Sequence, residues 1–387
     1  MTGTSTMSSM YISSWPGLTL EDLLPSRAGQ TSTYPFTAAH KSSFCVARSG
    51  IYHLFRALQF KPGEKVLVPD YHSGNEFAAI RAAGATIEFY PIRRNLEPDL
   101  EALSRLAAQG ARVIYVIHYM GWPQPVKEIQ AICRQNGSIL VEDCALSLFG
   151  ETEGKPLGAF GSYSVFCLYK TLPVPNGGVL VENDRALPGL TGLELESCPR
   201  LSALGRSAEL ALETVRSRWN GIGKALFDIK RGAGRRMRAA NVRQVPVGDI
   251  GWDIGNVNIA MSSLSETIIR GSNCERIRQR RRENFLRLQQ KVAGRVRLLR
   301  SDMGTGVCPL FFPILVRNKH AAAEALRNRG IEAVEFWNDP QQDRNIGADA
   351  RYLRSHVLEL PIHQGVSEKQ VDYIAEQIRQ LKLEPAA

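Results

Sequence analysis

Short apolar runs alternate with stretches of helical periodicity between residues 49 and 184. The runs are rich in Val and Ile, and they cover 65–70, 86–92, 112–119, 138–143, 162–170 and 177–183. Helical patterns lie among them at 50–59, 74–83, 97–109 and 125–136. Strands separated by helices need crossover connections, so this pattern predicts an α/β domain with a mostly parallel sheet.

Helical periodicity dominates the chain after residue 184. Apolar residues recur every three or four positions from 201 to 229, which predicts one long amphipathic helix or two short ones. A second helical stretch is predicted at about 261–292. The remaining chain reads as a smaller C-terminal α+β domain, with a strand at 310–316, a helix at 319–329, a loop at 336–355, a strand at 358–362 and a helix at 367–381.

These patterns divide the chain into five parts. We expect an N-terminal arm at 1–44, a large α/β domain at 45–195, a basic helical insertion at 196–248, connecting helices at 249–294 that contact a dimer partner, and the small domain at 295–387. The length supports a division, because a single hydrophobic core rarely grows beyond about 250–300 residues.

The composition is that of an ordinary globular protein. With 44% hydrophobic and 22% charged residues, the chain is neither disordered nor collagenous nor a coiled coil. Its seven cysteines include no CxxC pair and no spacing typical of zinc sites, so we expect reduced thiols and no metal. Residues 1–17 lack the regions of a secretion signal, and no apolar run could span a bilayer. We therefore expect a soluble protein of the cytoplasm.

Most of the excess positive charge lies in one segment. The chain carries 48 Lys and Arg against 38 Asp and Glu, a net charge of 48 − 38 = +10, and residues 200–243 hold 11 − 3 = +8 of it. Three interpretations stay open: the predicted helix packs on a dimer partner or the small domain, lies on the inner face of an anionic membrane, or lines a site for a pyrophosphate-bearing substrate. No nucleic-acid-binding motif accompanies the charge, so we expect no nucleic-acid partner.

Three candidate sites lie where an α/β sheet places its ligands. A turn at 48–52 begins a helix and offers free N–H groups to an anion, while Asp143 and Lys170 each end an apolar run. Each has a simpler interpretation when taken alone. The turn and the carboxylate could each cap a helix, and the lysine could be a solvated side chain. Taken together they are what pyridoxal 5′-phosphate (PLP) requires. The turn would bind its phosphate, Asp143 would hold the proton on its ring nitrogen, and Lys170 would bind its aldehyde.

The block VEDCALSLFGETEGKPLGAFGSYSVFCLYKTLPVPNGGVLVEND resembles the centre of the DegT/StrS-type PLP-dependent sugar aminotransferases. Outside it, ARSGIYHLFRAL, NVNIAMSSLSETII and VLELPIHQGVSEKQVDYIAEQI are similar to the family's phosphate turn, Asn-containing segment and C-terminal strand and helix. The resemblance covers about 45–185 and 250–385. It implies the aspartate-aminotransferase-like fold, with a mostly parallel seven-stranded sheet in the large domain.

The resemblance implies roles for individual residues. Lys170 stands at the Schiff-base position, where the family's lysine forms an aldimine with PLP and moves the substrate proton. Asp143 stands at the position of the pyridinium partner. The phosphate turn consists of Ser49, Gly50 and Ile51. Asn258 matches an asparagine that reaches the cofactor of the neighbouring subunit, which implies a homodimer with shared active sites.

Three positions depart from the family pattern. Leu146 replaces the Gln or His that contacts the cofactor's hydroxyl, Cys167 replaces a phosphate-binding serine, and Ala260 stands where the family often has Arg. The residue that stacks on the pyridine ring is Tyr71 or His72, of which we favour His72.

The resemblance implies an aminotransferase that moves an amino group from glutamate or glutamine to a keto group of a nucleotide-linked sugar or related metabolite. Two alternatives stay open. One is PLP-dependent dehydration of a deoxysugar, against which Lys170 argues, because the family's dehydratases have His at that position. The other is a non-catalytic member that uses its basic helix to bind a membrane or a partner.

Overall fold

A seven-stranded sheet forms the centre of the large domain in this computed structural model. The structure describes residues 10–24, 33–184, 186–223, 225–226, 247–248, 251–337 and 346–386. The first nine strands are β1 (Lys41–Phe44), β2 (Lys65–Pro69), β3 (Thr86–Tyr90), β4 (Ala111–Ile117), β5 (Ile139–Asp143), β6 (Glu151–Thr152), β7 (Lys155–Pro156), β8 (Tyr163–Cys167) and β9 (Gly178–Glu182). The sheet order is β1-β9-β8-β5-β4-β2-β3, and β6 with β7 forms a separate hairpin. All pairs from β8 to β3 are parallel, whereas β9 runs antiparallel to β8 and β1. The predicted fold class is confirmed.

Four helices connect the parallel strands. They are α1 (Ala47–Ala57), α2 (Asn75–Ala82), α3 (Leu100–Ala107) and α4 (Val126–Asn136). Each buries an apolar face, such as Leu103 of α3 and Ile129 of α4. Most residues of β4 and β5 are buried, as expected of continuous apolar runs in central parallel strands. The strands and helices predicted in this region agree with these bounds to within three residues.

The sequence pattern missed β1, which lies at one edge of the sheet. It reads Lys-Ser-Ser-Phe, and only Phe44 is fully buried, so it carries almost no apolar signal. Its partner β9 begins at Gly178, where a Cβ atom would lie 2.3 Å from the backbone nitrogen of Ala47. The glycine therefore lets the N-terminus of α1 approach the sheet directly.

The C-terminal part is a small antiparallel sheet with helices. It contains β10 (Arg297–Leu298), β11 (Phe311–Leu315) and β12 (Val357–Pro361), in that order. These α+β elements agree with the predicted strands at 310–316 and 358–362. The prediction of a loop at 336–355 is wrong in its second half, because residues 348–356 are helical and bury Ala350 and Leu353.

Three helices join the two sheets, and three more belong to the small domain. They are α5 (Arg200–Arg218), α6 (Ser263–Gly271), α7 (Cys274–Lys291), α8 (Lys319–Arg327), α9 (Ala348–His356) and α10 (Glu368–Leu381). The stretch predicted at 261–292 divides into α6 and α7, because Asn273 caps a new helix with its side chain. No helix in the described ranges is both long and apolar enough to cross a membrane.

The amphipathic stripe predicted from residue 201 onward is not the face that packs on the protein. α5 buries Ala203, Ser207 and Leu210 instead. Leu204 and Trp219 of the predicted stripe are each 59% exposed. Helix α5 ends at Arg218, and most of the basic residues that follow, from Lys224 to Arg243, lie outside the described residues.

Candidate active site

The carboxyl ends of β5 and β8 bring together the two residues that the sequence singled out. Asp143 is the last residue of β5, and it lies opposite Val165 of the parallel strand β8. Lys170 ends the short 3-10 helix that continues β8. Both side chains line one cleft, which holds about 540 Å³ of empty space including its mouth. We call it the Lys170 cleft.

Asp143 is held rigidly at the floor of the cleft. Its Oδ2 accepts a hydrogen bond from the Tyr115 hydroxyl at 2.6 Å, and its Oδ1 accepts one from the backbone N–H of Ala145 at 2.8 Å. Burial raises the pKa of Asp143, although these hydrogen bonds and the charge of Lys170 act in the opposite direction. A buried carboxylate of this kind is suited to hold a positively charged N–H group of a ligand.

Lys170 is 9% exposed, so its amine lies away from bulk water. Its Nζ lies 5.7 Å from the ring centroid of Phe336, which comes from the small domain. A partly desolvated lysine is a typical nucleophile towards an aldehyde.

A buried arginine fixes the backbone beside Lys170. Arg281 of α7 is 1% exposed, and its guanidinium donates to the carbonyl of Thr171 at 3.3 Å and to that of Leu310 at 3.0 Å. Gln364 completes the arrangement, because it accepts from Arg281 Nε at 2.9 Å and donates to the same Thr171 carbonyl at 2.9 Å. No carboxylate within the described ranges forms an ion pair with Arg281. Burial lowers the pKa of Arg281 to about 10.

We expect Arg281→Lys to lower the free energy of unfolding by about 3 kcal/mol, because lysine keeps the charge but cannot satisfy all these carbonyls. Urea unfolding at neutral pH measures the change. The matched control is Arg276→Lys at an exposed position of the same helix, where a change below about 1 kcal/mol is expected. Equal effects of the two variants would contradict the interpretation.

The N-terminus of α1 opens onto the cleft. Its N-cap residue is Val46, which makes no side-chain capping bond, and the backbone N–H of Ser49 donates to the Val46 carbonyl at 3.2 Å. Ala47, Arg48 and Ile51 line the cleft, whereas Ser49 and Gly50 are buried and are not among its lining residues. Together, the helix terminus and the Arg48 side chain offer a site for an anion.

Tyr71 and His72 do not line the cleft. Tyr71 packs its ring against Trp337 with centroids 4.5 Å apart, and His72 stacks on Phe89 at 5.3 Å. Within the described ranges neither ring nitrogen of His72 has a hydrogen-bond partner. Burial, and to a lesser extent the charge of Arg354, lowers the pKa of His72 to about 3.

The low pKa of His72 predicts an acid-sensitive fold. Because the unfolded chain takes up a proton near pH 6.5 and the folded chain does not until about pH 3, stability falls by about 1.4 kcal/mol per pH unit in this window as pH decreases. We expect His72→Phe to remove this contribution, as measured by urea unfolding between pH 7 and pH 4. His40→Gln, at an exposed histidine, should leave the dependence unchanged. An unaltered slope in His72→Phe would show that another group is responsible.

The remaining predicted residues lie in different places. Cys167 lines the cleft, as does the apolar Leu146. Asn258 is exposed and is not among the residues that line the cleft of its own chain. Its side chain contacts His53 of α1, and its carbonyl accepts from the backbone N–H of Glu196 at 2.6 Å.

Other lining residues were not predicted from the sequence. Ser73, Asn75 and Glu76 come from the start of α2, and Trp337 comes from the small domain. The serine donates to the carboxylate of Glu76, whose pKa is raised by burial and by the nearby Asp143. A carboxylate just after a predicted strand end was a usable signal for Glu76. The sequence contains no such signal for Trp337, because it lies 337 − 170 = 167 residues from Lys170 along the chain.

The family resemblance is confirmed by comparison with known proteins. Residues 35–205 match the sequence profile of the DegT/DnrJ/EryC1/StrS aminotransferase family. The chain is 27% identical over 189 residues to a dTDP-4-dehydro-2,3,6-trideoxy-D-glucose 4-aminotransferase of Saccharopolyspora spinosa, covering 46% of this chain and 47% of that one. It is 26% identical over 152 residues to GDP-perosamine synthase of Vibrio cholerae, covering 38% and 40%. The chain thus matches less than half the length of these relatives.

The whole fold is similar to solved structures. Helicobacter pylori PseC, an aminotransferase involved in the biosynthesis of pseudoaminic acid, superposes with a TM-score of 0.68 at 18% identity. The match covers 96% of this chain and 98% of that one. At this identity the similarity establishes the fold.

Proposed function

We propose that this chain, whose residues 35–205 carry the domain of the DegT/DnrJ/EryC1/StrS aminotransferase family, is a PLP-dependent aminotransferase. It transfers an amino group from glutamate or glutamine to a keto group of a nucleotide-linked sugar or a related metabolite. The observation that carries the proposal is that Lys170 and Asp143 line one cleft beside the uncapped N-terminus of α1. The names of the two relatives, which refer to nucleotide-linked sugars, support this class of acceptor.

The residues of the Lys170 cleft fit PLP. Asp143 binds the ring nitrogen and keeps a proton on it, and the first turn of α1 with Arg48 binds the phosphate. Gly178 supports the phosphate position, since any side chain there would displace Ala47. With its ring nitrogen protonated, the bound cofactor supplies an electron sink for carbanion chemistry.

Lys170 carries out the proton transfers. Its amine would hold the aldehyde of PLP, and an incoming amino donor would free Nζ. The free Nζ would then serve as the base and acid that moves the substrate proton. The clamp of Arg281 and Gln364 on Thr171 keeps this amine in position. Leu146 and Trp337 limit the access of water to the reacting atoms.

A homodimer with shared sites is part of the proposal. Asn258 is exposed in the single chain and does not line its own cleft, which suits a residue that acts on the cofactor of a second copy. The stacking of Tyr71 or His72 on the cofactor ring stays a prediction, although neither side chain is among the residues that line the cleft.

The proposal is tested by reconstituting the purified full-length chain with PLP. We expect a visible absorption band that borohydride abolishes, with the reduced cofactor attached to the peptide containing Lys170. Added glutamate should convert the cofactor to pyridoxamine phosphate, which separates a transaminase from a dehydratase. A chain that stays colourless at saturating PLP would overturn the proposal and favour a non-catalytic role.

We also propose that α5 contacts the inner face of an anionic membrane from the cytoplasm. Leu201 and Leu204 of α5 are 56% and 59% exposed, and Trp219 and Ile222, which follow the end of this helix at Arg218, are 59% and 61% exposed. Leu201 and Leu204 are not among the residues that α5 buries on the protein. The segment 200–243 adds its charge of 11 − 3 = +8, and each basic residue near an anionic surface contributes about 1 kcal/mol.

Vesicle flotation tests the membrane contact. The intact protein should float with phosphatidylglycerol vesicles and not with phosphatidylcholine vesicles. The double variant Leu201→Ser/Leu204→Ser should reduce the floated fraction several-fold, because both side chains are exposed and the fold does not depend on them. Leu286→Ser, at a 46% exposed leucine of α7, is the matched control. Equal flotation of all three proteins would reject the proposal.

A further inference from the structure

Two cysteines lie next to each other beside the Lys170 cleft, although they are 198 − 45 = 153 residues apart in the chain. Cys45 precedes α1 and is 1% exposed, and Cys198 precedes α5 and is half-buried. Both pack in one small cluster with Ile259 and with Tyr169, the residue before Lys170. The proposed transamination uses neither thiol.

The sulfur of Cys198 both accepts and donates hydrogen bonds, since its thiol donates to the carbonyl of Pro199 at 3.9 Å. Asn176 Nδ2 donates to it at 3.4 Å. The orientation of this amide is fixed, because its Oδ1 accepts from the backbone N–H of Ser262 at 2.9 Å and from the hydroxyl of Ser265 at 3.1 Å. The thiols of Cys45 and Cys198 also share a hydrogen bond. Donors that converge on a sulfur favour its thiolate form.

The surroundings give the two thiols different characters. Their mutual hydrogen bond is the main cause that lowers the pKa of Cys198 and raises the pKa of Cys45. Asn176 adds to the effect on Cys198, and burial adds to that on Cys45. Cys198 also lies at the N-terminal end of α5, a helix of 19 residues whose positive dipole end stabilises an anion. The half-buried thiol therefore has the lower pKa, and its neighbour is buried.

We propose that Cys198 and Cys45 form a peroxide-sensitive dithiol, with Cys198 as the nucleophile and Cys45 as the resolving thiol. The Cys198 sulfur attacks hydrogen peroxide, the O–O bond breaks, and a sulfenic acid and one water result. The Cys45 sulfur then attacks the Cys198 sulfur, which forms the S–S bond and releases the hydroxyl group as a second water. Two thiols are oxidised and one peroxide is reduced to two waters, so atoms and electrons balance.

The disulfide would join the segment before α1 to the segment before α5. Cys45 lies three residues before Arg48, which lines the cleft at the N-terminus of α1. Cys198 precedes α5, whose outer face is exposed. Oxidation would therefore tie the start of α5 to the anion-binding turn. The thiol chemistry is independent of the proposed transamination, so either proposal can fail without the other.

The test uses the reduced full-length protein and hydrogen peroxide. Of the seven thiols, we expect two to be lost per chain, with a single Cys45 to Cys198 disulfide in the non-reduced peptide map. Cys198→Ser should lose this reaction while folding normally, because the site is half-buried and serine is close in size. Cys45→Ala should leave Cys198 as a sulfenic acid that dimedone traps. Cys274→Ser, at another buried cysteine, is the matched control and should still form the disulfide.

Alkylation provides a readout that does not depend on the variants. Iodoacetamide should modify Cys198 of the wild-type protein at least about tenfold faster than Cys133, and the rate should stay high below pH 8, where ordinary thiols become slow. The proposal is overturned if Cys198 reacts no faster than Cys133. It is equally overturned if peroxide consumes thiols without producing the Cys45 to Cys198 peptide.

Discussion

Lys170→Ala is expected to lose transamination by about 10⁴-fold or more, because no other amine in the described cleft can both hold the cofactor and move the proton. The variant should still bind PLP without a covalent bond, through Asp143 and the N-terminus of α1. Its absorption spectrum should then be that of free aldehyde. The loss of activity is measured as the rate at which glutamate converts bound PLP to pyridoxamine phosphate in a single turnover.

Two further variants separate the chemistry of Lys170 from its charge. Lys170→Arg keeps a cation of similar length, but a guanidinium stays protonated, so we expect the same loss. A small amine such as methylamine should restore part of the activity of Lys170→Ala, because it replaces the missing base. Lys127→Ala, at a 65% exposed side chain, is the control and should keep full activity. Full activity in Lys170→Ala would contradict the assignment.

Asp143→Asn should lower kcat by about 100-fold to 1,000-fold with little change in cofactor content, because the amide keeps the shape but does not hold the ring-nitrogen proton. Tyr115→Phe, which removes the 2.6 Å hydrogen bond but leaves the carboxylate, should have a much smaller effect. Steady-state kinetics of the two reconstituted variants makes the comparison. Equal losses would show that the hydrogen bond, not the charge, is what matters.

The raised pKa of Asp143 gives a second readout in the cofactor-free protein. The folded chain binds this proton more tightly than the unfolded chain does. Its contribution to stability is present at low pH and is lost as pH rises through the raised pKa. Asp143→Asn carries no group that loses a proton, so its stability should not fall as pH rises through this range. The cofactor-free variant should therefore be at least as stable as the wild type at neutral pH. A strongly destabilised variant would indicate a structural role for the carboxylate.

The sequence was most informative where burial alone decides the structure. The runs that became β2, β4 and β5 are mostly buried on both faces, so they could be recognised without knowledge of their neighbours. β1 could not, because its Lys-Ser-Ser-Phe pattern becomes a strand only through its pairing with β9. The helix at 348–356 was also missed, since just two apolar residues, Ala350 and Leu353, hold it against the small domain.

The site shows the same division between local and distant information. Asp143 and Lys170 follow strand ends, so the order of the elements was enough to bring them together. Trp337 and Arg281 reach the site from other elements, and a spacing rule within the large domain cannot include them. Tyr71 and His72 could be placed near the end of β2, but the direction of their side chains depends on packing against Trp337 and Phe89.

The pairing of β1 with β9 also sets the order in which the protein can assemble during synthesis. Lys41 pairs with Val181, a separation of 181 − 41 = 140 residues, and Phe44 pairs with Gly178. The strand that leads into the anion-binding turn must therefore wait, unpaired, until the ribosome has released the chain through β9. Closing so long a loop carries a large entropic cost, which only the completed sheet offsets. We therefore expect the N-terminal turn of α1 to take its place in the large domain only after β9 has been synthesised.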